Sequence, residues 1–142
     1  MKFATFALIA LFPLTAVAEG VPGSHFIENW DQNGDGVVTL DELKQKRGDV
    51  FYTFDSDENG FLNAEEYSYF DDARQADMEG QDEQEQAKGK RVQKGMVLAF
   101  NDTNADGQVS KAEFLEKAED WLALIDRDGS GDVTTADFGP RN

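Results

Sequence analysis

The sequence predicts an all-α fold built from helix–loop–helix repeats, with short strand bridges between loops and helices shared between closely spaced loops. Three observations carry this reading. Four segments, DQNGDGVVTLDE, DSDENGFLNAEE, DTNADGQVSKAE and DRDGSGDVTTAD, align without gaps from residues 31, 55, 102 and 126. The stretches between them place apolar residues at helical spacing. The chain is strongly acidic, with 29 Asp+Glu against 13 Lys+Arg, yet it holds 11 Phe, 2 Trp and 3 Tyr, enough apolar material for a core.

The N-terminal stretch is set apart. Lys2 is followed by an apolar run from Phe3 to Leu14, broken only by Thr5 and Pro13, and then by Ala16-Val17-Ala18. This is the layout of a signal peptide over residues 1–18. The run is shorter than the roughly 20 residues that a bilayer span needs. No Cys follows it, so no membrane anchor is expected after cleavage, and the product is expected to be exported, periplasmic or secreted.

From Glu19 to Asn142 the chain carries 12 basic and 29 acidic side chains, a net charge of −17. Such an imbalance argues against binding nucleic acid or anionic membranes. It also repels itself unless a cation neutralises it. With no Cys and one His, His25, thiolate and imidazole metal sites are disfavoured, which leaves hard oxygen ligands.

The repeat starts are 24, 47 and 24 residues apart, so the chain reads as two pairs, residues 19–80 and 81–142. The connection, about Asp71 to Gly95, is expected to be two helix ends around a polar hinge near Gly80–Asp82. Its basic cluster, Lys88, Lys90, Arg91 and Lys94, reads as a solvated helix face. Phe114, Leu115, Ala118, Trp121, Leu122 and Ile125 form a helical stripe, matched in the first pair by Leu40, Leu43, Val50, Phe51 and Phe54. Ser24 is positioned to cap a short helix with Phe26 and Trp30 one turn apart.

Each repeat carries the oxygen donors that Ca²⁺ requires. That ion takes 6–8 oxygens, and a twelve-residue loop supplies them from side chains at positions 1, 3, 5 and 12 and a carbonyl at 7, turning on Gly at 6. In loop 1 these are Asp31, Asn33, Asp35, Glu42 and the carbonyl of Val37. In loop 2 they are Asp55, Asp57, Asn59, Glu66 and Phe61. In loop 3 they are Asp102, Asn104, Asp106, Glu113 and Gln108. In loop 4 they are Asp126, Asp128, Ser130, Asp137 and Asp132. Position 6 is Gly36, Gly60, Gly107 and Gly131. Position 8 is Val38, Leu62, Val109 and Val133, apolar throughout and suited to a strand bridge. Each loop brings three acidic ligands, so four Ca²⁺ ions would move the net charge from −17 to −9.

These loops resemble those of calmodulin-like EF-hand proteins, particularly short exported bacterial ones. The resemblance covers nearly all of the chain after residue 18. It implies four calcium sites, and the fourth, which departs from the family's pattern, is expected to be weaker or more tolerant of Mg²⁺. Loop 4 ends in Asp137 where the family usually has Glu, one methylene longer, and Phe138-Gly139-Pro140 leaves no room for an exit helix.

Two further features depart from the family's commonest form. Only twelve residues, Leu43–Phe54 and Phe114–Ile125, separate the loops of each pair. The second stretch has no breaker and is expected to be one shared helix, about 15 residues or roughly 22 Å long with the loop's last residues. Loops at opposite ends of such a helix cannot bridge each other, so their strand partners lie elsewhere, for example loop 2 with loop 3. In the first stretch Gly48-Asp49 leaves both a continuous helix and a local break open. Asn101 also stands before loop 3 where an apolar residue is usual. The implied function is calcium binding as buffer, sensor or calcium-stabilised module, with a protein target as a further partner. The alternative is a dockerin-like adhesion or scaffolding module. No motif indicates an enzyme, and His25 reads as a surface residue at a helix start.

Overall fold

The computed structural model describes residues 21–139, apart from the side chain of Gln84. The expected signal peptide, residues 1–18, lies outside the described residues. The elements are α1 (Ser24–Trp30), α2 (Leu40–Phe54), β1 (Phe61–Leu62), α3 (Ala64–Glu79), α4 (Glu83–Lys88), α5 (Lys90–Lys94), α6 (Leu98–Asn101), β2 (Val109–Ser110), α7 (Lys111–Glu116) and α8 (Ala118–Ile125), closed by a 3₁₀ turn, Thr135–Phe138. The chain is mostly helical, as the apolar spacing requires.

Gly23, not Ser24, takes the N-cap position of α1. Its φ of +83° suits glycine, and a Cβ there would meet the Phe138 ring at 2.2 Å. Phe26 and Trp30 stack one turn apart, with ring centroids 5.8 Å from each other.

The helix α2 runs unbroken through Gly48 for 15 residues. A mid-helix glycine costs about 1 kcal/mol. Burial of Leu43, Arg47 and Phe51 along one face outweighs it. The second stretch corrects the expectation of one uninterrupted helix. Residues 111–125 are helical except at Lys117, whose ψ of −6° separates α7 from α8. Hydrogen bonds from Lys117 N to Glu113 O (3.1 Å) and from Trp121 N to Lys117 O (2.9 Å) carry the ladder across the break. No Gly or Pro marks the position.

Loop pairing follows from these helices. β1 pairs antiparallel with β2 (Phe61 with Ser110, Leu62 with Val109), joining loop 2 to loop 3. Val38 and Val133 exchange backbone hydrogen bonds of 2.8 and 2.9 Å, joining loop 1 to loop 4. All four position-8 side chains are fully buried. Loops 1 and 2 lie at opposite ends of α2, and loops 3 and 4 at opposite ends of α7–α8. The two helical rods therefore run antiparallel, with a loop pair at each end. The bridges cross residue 80, and so does the core: Phe114 lies 6.0 Å from Phe51 and 6.1 Å from Phe70 by ring centroids.

A polar network crosses this core. Arg47 is fully buried and, among the described residues, pairs with no carboxylate. Its guanidinium lies 4.0 Å from the Phe114 ring centroid and 5.0 Å from that of Trp121. It donates to Phe114 O (2.8 Å) and to the side-chain oxygen of Asn101. Desolvation pulls its pKa down to about 10, against an upward pull from Tyr67. Asn101 in turn donates to Tyr67 Oη (3.2 Å) and to Gly95 O (3.2 Å). A polar residue at position 101 thus supplies the acceptor that the buried arginine needs.

The connection between the halves bends where the glycine suggested. Asp82 caps α4 by accepting from Glu85 N at 2.9 Å. The basic cluster is not wholly a solvated face, because Arg91 turns inward to the carbonyls of Ile125 (2.8 Å) and Asp137.

Candidate metal centres

One hydrogen-bond pattern recurs in all four loops. The carboxylate at position 1 accepts the amide of the position-6 glycine: Asp31 from Gly36 (2.7 Å), Asp55 from Gly60 (2.9 Å), Asp102 from Gly107 (2.9 Å) and Asp126 from Gly131 (2.7 Å). The position-3 side chains of Asn33, Asp57, Asn104 and Asp128 accept from the amide at position 5. The position-5 side chains of Asp35, Asn59, Asp106 and Ser130 accept from the amides of Val37, Phe61, Gln108 and Asp132. These bonds fold each loop around its acidic side chains before any metal is considered.

Position 12 has two roles. Glu42, Glu66, Glu113 and Asp137 each stand at the third residue of a helical turn and accept the amide of Thr39, Asn63, Ser110 or Thr134 in a capping box. With the other oxygen each accepts the amide at position 2: Gln32, Ser56, Thr103 and Arg127. The shorter arm of Asp137 reaches because its turn is 3₁₀ rather than α, a tighter winding. Asp137 is completely buried.

The carboxylates converge as a single oxygen-loving cation requires. Among the described residues, three groups bring one oxygen from each member within 4.8 Å of the others: Asp55, Asp57 and Glu66; Asp102, Asp106 and Glu113; and Asp126, Asp128 and Asp137. Oxygens around one Ca²⁺, each at 2.3–2.6 Å, lie at most about 5 Å apart. The residues therefore fit the ion. Asp31, Asp35 and Glu42 of loop 1 form no group of this closeness, although their hydrogen bonds follow the same pattern.

The electrostatics keep the key ligands ionised. Desolvation raises the Glu113 carboxyl, but hydrogen bonds from Ser110, Thr103 and Asn104 outweigh it and hold the pKa at about 2. Glu66 is lowered by the same balance, with Asn63, Asp57 and Ser56 outweighing desolvation. Asp57 goes the other way, raised by desolvation and by the nearby charges of Glu66 and Asp55, against a bond from Asn59. A cation would relieve that crowding. Asp128 is lowered chiefly by hydrogen bonds from Ser130.

Two residues important to the loops escaped the sequence reading. Arg47 falls on the buried stripe, one turn from Leu43 and from Phe51, where a charge is read as facing solvent. Arg91 lies in a basic run. His25 stands at the rim of α1, 2.9 Å from Asp77.

Helix-flanked acidic loops, paired through short bridges and shaped for an oxygen-coordinated divalent cation, define a helix–loop–helix metal-binding protein. Three segments, 29–45, 48–69 and 100–116, match the EF hand family model, which supports an EF-hand calcium-binding protein. Loop 4 falls outside the matched segments. No curated protein and no solved structure matches the chain significantly.

Proposed function

We propose that this chain is an exported calcium-binding protein in which all four loops take Ca²⁺ and the metal completes the fold. The observation that carries the reading is the convergence of three carboxylate oxygens within 4.8 Å in loops 2, 3 and 4, beside a matching hydrogen-bond pattern in loop 1. Twelve acidic ligands in four small loops repel one another, so binding should contribute folding free energy. Export rests on Lys2, the Phe3–Leu14 run and Ala16-Val17-Ala18. Exported calcium modules commonly bind at about 10⁻⁴–10⁻³ M.

Calorimetric titration of residues 19–142 with calcium, repeated with magnesium and followed by far-UV circular dichroism, tests this. We expect four ions per chain, a gain of helix with calcium, and magnesium competing most at loop 4. Absence of binding at millimolar calcium would overturn the reading. Mass analysis of the exported protein should place its first residue at Glu19.

A second reading, a calcium-dependent module that docks a protein partner, draws on one observation. An apolar groove of about 240 Å³ opens beside α1, lined in part by Phe26, Trp30, Phe54, Phe70, Val92 and Met96. A pull-down from the exported fraction with and without chelator separates a dedicated partner from none.

A further inference from the structure

Loop 4 is flanked differently from loops 1 and 2. An EF-hand loop is held closed by a helix entering before position 1 and another leaving after position 12. Loop 2 has α2 and α3, of 15 and 16 residues. Loop 4 is entered by α8 but left only by a four-residue 3₁₀ turn. The ends of its loop therefore need another tie.

Arg91 supplies it. The side chain comes from α5, 35 residues before loop 4 begins. Nη1 donates to the carbonyl of Ile125 at 2.8 Å and to that of Leu124 at 3.4 Å, while Nη2 donates to the carbonyl of Asp137. Ile125 immediately precedes the first ligand, Asp126, and Asp137 is the last. One planar group thus joins the two ends of the loop. These three acceptors are main-chain carbonyls, so the bonds do not occupy the carboxylates of Asp126 and Asp137. The guanidinium also lies 5.6 Å from the Phe138 ring centroid, and Phe138 packs 5.7 Å from Phe26. A related arrangement, through a side-chain oxygen at one end, occurs at loop 3, whose entry helix α6 has only four residues. There Arg47 bridges Asn101, just before the first ligand, and the carbonyl of Phe114, just after the last.

We propose that Arg91 is a positioning residue for the fourth calcium site, closing loop 4 in place of the exit helix it lacks. The planar fork is what allows one side chain to span both ends, and an ammonium does not reproduce it. This rests on the reading of loop 4 as a calcium site.

The test compares residues 19–142 with the variants Arg91→Gln, Arg91→Lys and Asp126→Ala. Each is titrated with calcium by calorimetry and by the NMR amide shift of Gly131, and each is melted in chelator. We expect Asp126→Ala to lose one ion. We expect Arg91→Gln and Arg91→Lys to weaken the site reported by Gly131 at least about tenfold, the equivalent of one charge-assisted hydrogen bond. Gly60 and Gly107 should respond as in the parent, and melting in chelator should change far less than the affinity does. If Asp126→Ala loses an ion while Arg91→Gln binds as the parent does, the positioning role is overturned alone. If Arg91→Gln weakens every site equally and melts early in chelator, Arg91 is a general packing residue and the proposal fails. If Asp126→Ala binds as many ions as the parent, loop 4 is no calcium site, and the proposal falls with that reading.

Discussion

Arg47, at the middle of α2, donates from Nη2 to the side-chain oxygen of Asn101 at the end of α6, and both side chains are fully buried. The bond joins the helix between loops 1 and 2 to the helix that enters loop 3. Asn101→Leu, which restores the apolar residue usual before such a loop, removes the acceptor from a buried cation and should cost about 1–3 kcal/mol. Arg47→Met should cost about 1–3 kcal/mol, since it strands neutral acceptors that the guanidinium now satisfies. In the double variant the losses should be smaller than the sum. Urea unfolding at saturating calcium measures all three, and strict additivity would show that the two side chains do not interact.

Cross-pairing of the loops sets which sites feel each other. Loop 2 is bridged to loop 3 and loop 1 to loop 4, so the nearest loop in sequence is not the partner in space. Glu66→Gln in loop 2 should therefore weaken calcium binding at loop 3 more than at loop 1. Residue-resolved titration reads the two effects side by side. Coupling of loop 2 to loop 1 instead would mean that the bridges do not transmit binding.

Gly95 shows how closely the linker approaches the second rod. A Cβ there would sit 1.9 Å from Trp121 Cδ1, and the Trp121 indole N–H donates to Val92 O at 2.9 Å. Gly95→Ala should cost about 1–3 kcal/mol through overpacking. It should also change the tryptophan fluorescence, because the ring cannot stay where it is. An unchanged spectrum with unchanged stability would argue against this contact.

Tyr67 gives the core a pH signature. Burial pushes its phenol up to about 12 from 10.0, against the lowering pull of Asn101, Arg74 and Arg47. Over that interval the folded protein keeps a proton that the unfolded chain releases. The stability Tyr67 contributes is therefore complete below about pH 10 and is lost as pH rises toward 12. The stability difference between the parent and Tyr67→Phe should shrink across this window. Phenolate absorbance should show one late step in the parent that Tyr67→Phe lacks.

The loops were legible in the sequence because calcium ligation is written locally, in side chains at fixed offsets around a glycine. The helical class was legible from stripes such as Phe114, Ala118, Trp121 and Ile125. The unbroken twelve-residue gap after loop 3 indicated that loops 3 and 4 cannot bridge each other, but Gly48-Asp49 left loops 1 and 2 open, and the bridge of loop 1 to loop 4 was not assigned. Val38, Leu62, Val109 and Val133 are near equivalents, and only the antiparallel placement of α2 against α7–α8 chooses among them. The break at Lys117 was not legible, since nothing in its residue type marks it. Arg47 and Arg91 were missed because their partners are distant in sequence, main-chain carbonyls for both and the Asn101 side chain as well for Arg47, and residue patterns do not record such contacts. Loop 4 was read as the weak member from the length of Asp137; the tight turn that compensates becomes visible only in three dimensions.

The amides of Gly36, Gly60, Gly107 and Gly131 report directly on the first ligand of each loop, because each donates to that carboxylate at 2.7–2.9 Å. An NMR titration of residues 19–142 with calcium, following these four signals, tests the central claim. We expect all four to shift, Gly60 together with Gly107 and Gly36 together with Gly131. Four signals that stay in place at millimolar calcium would contradict it.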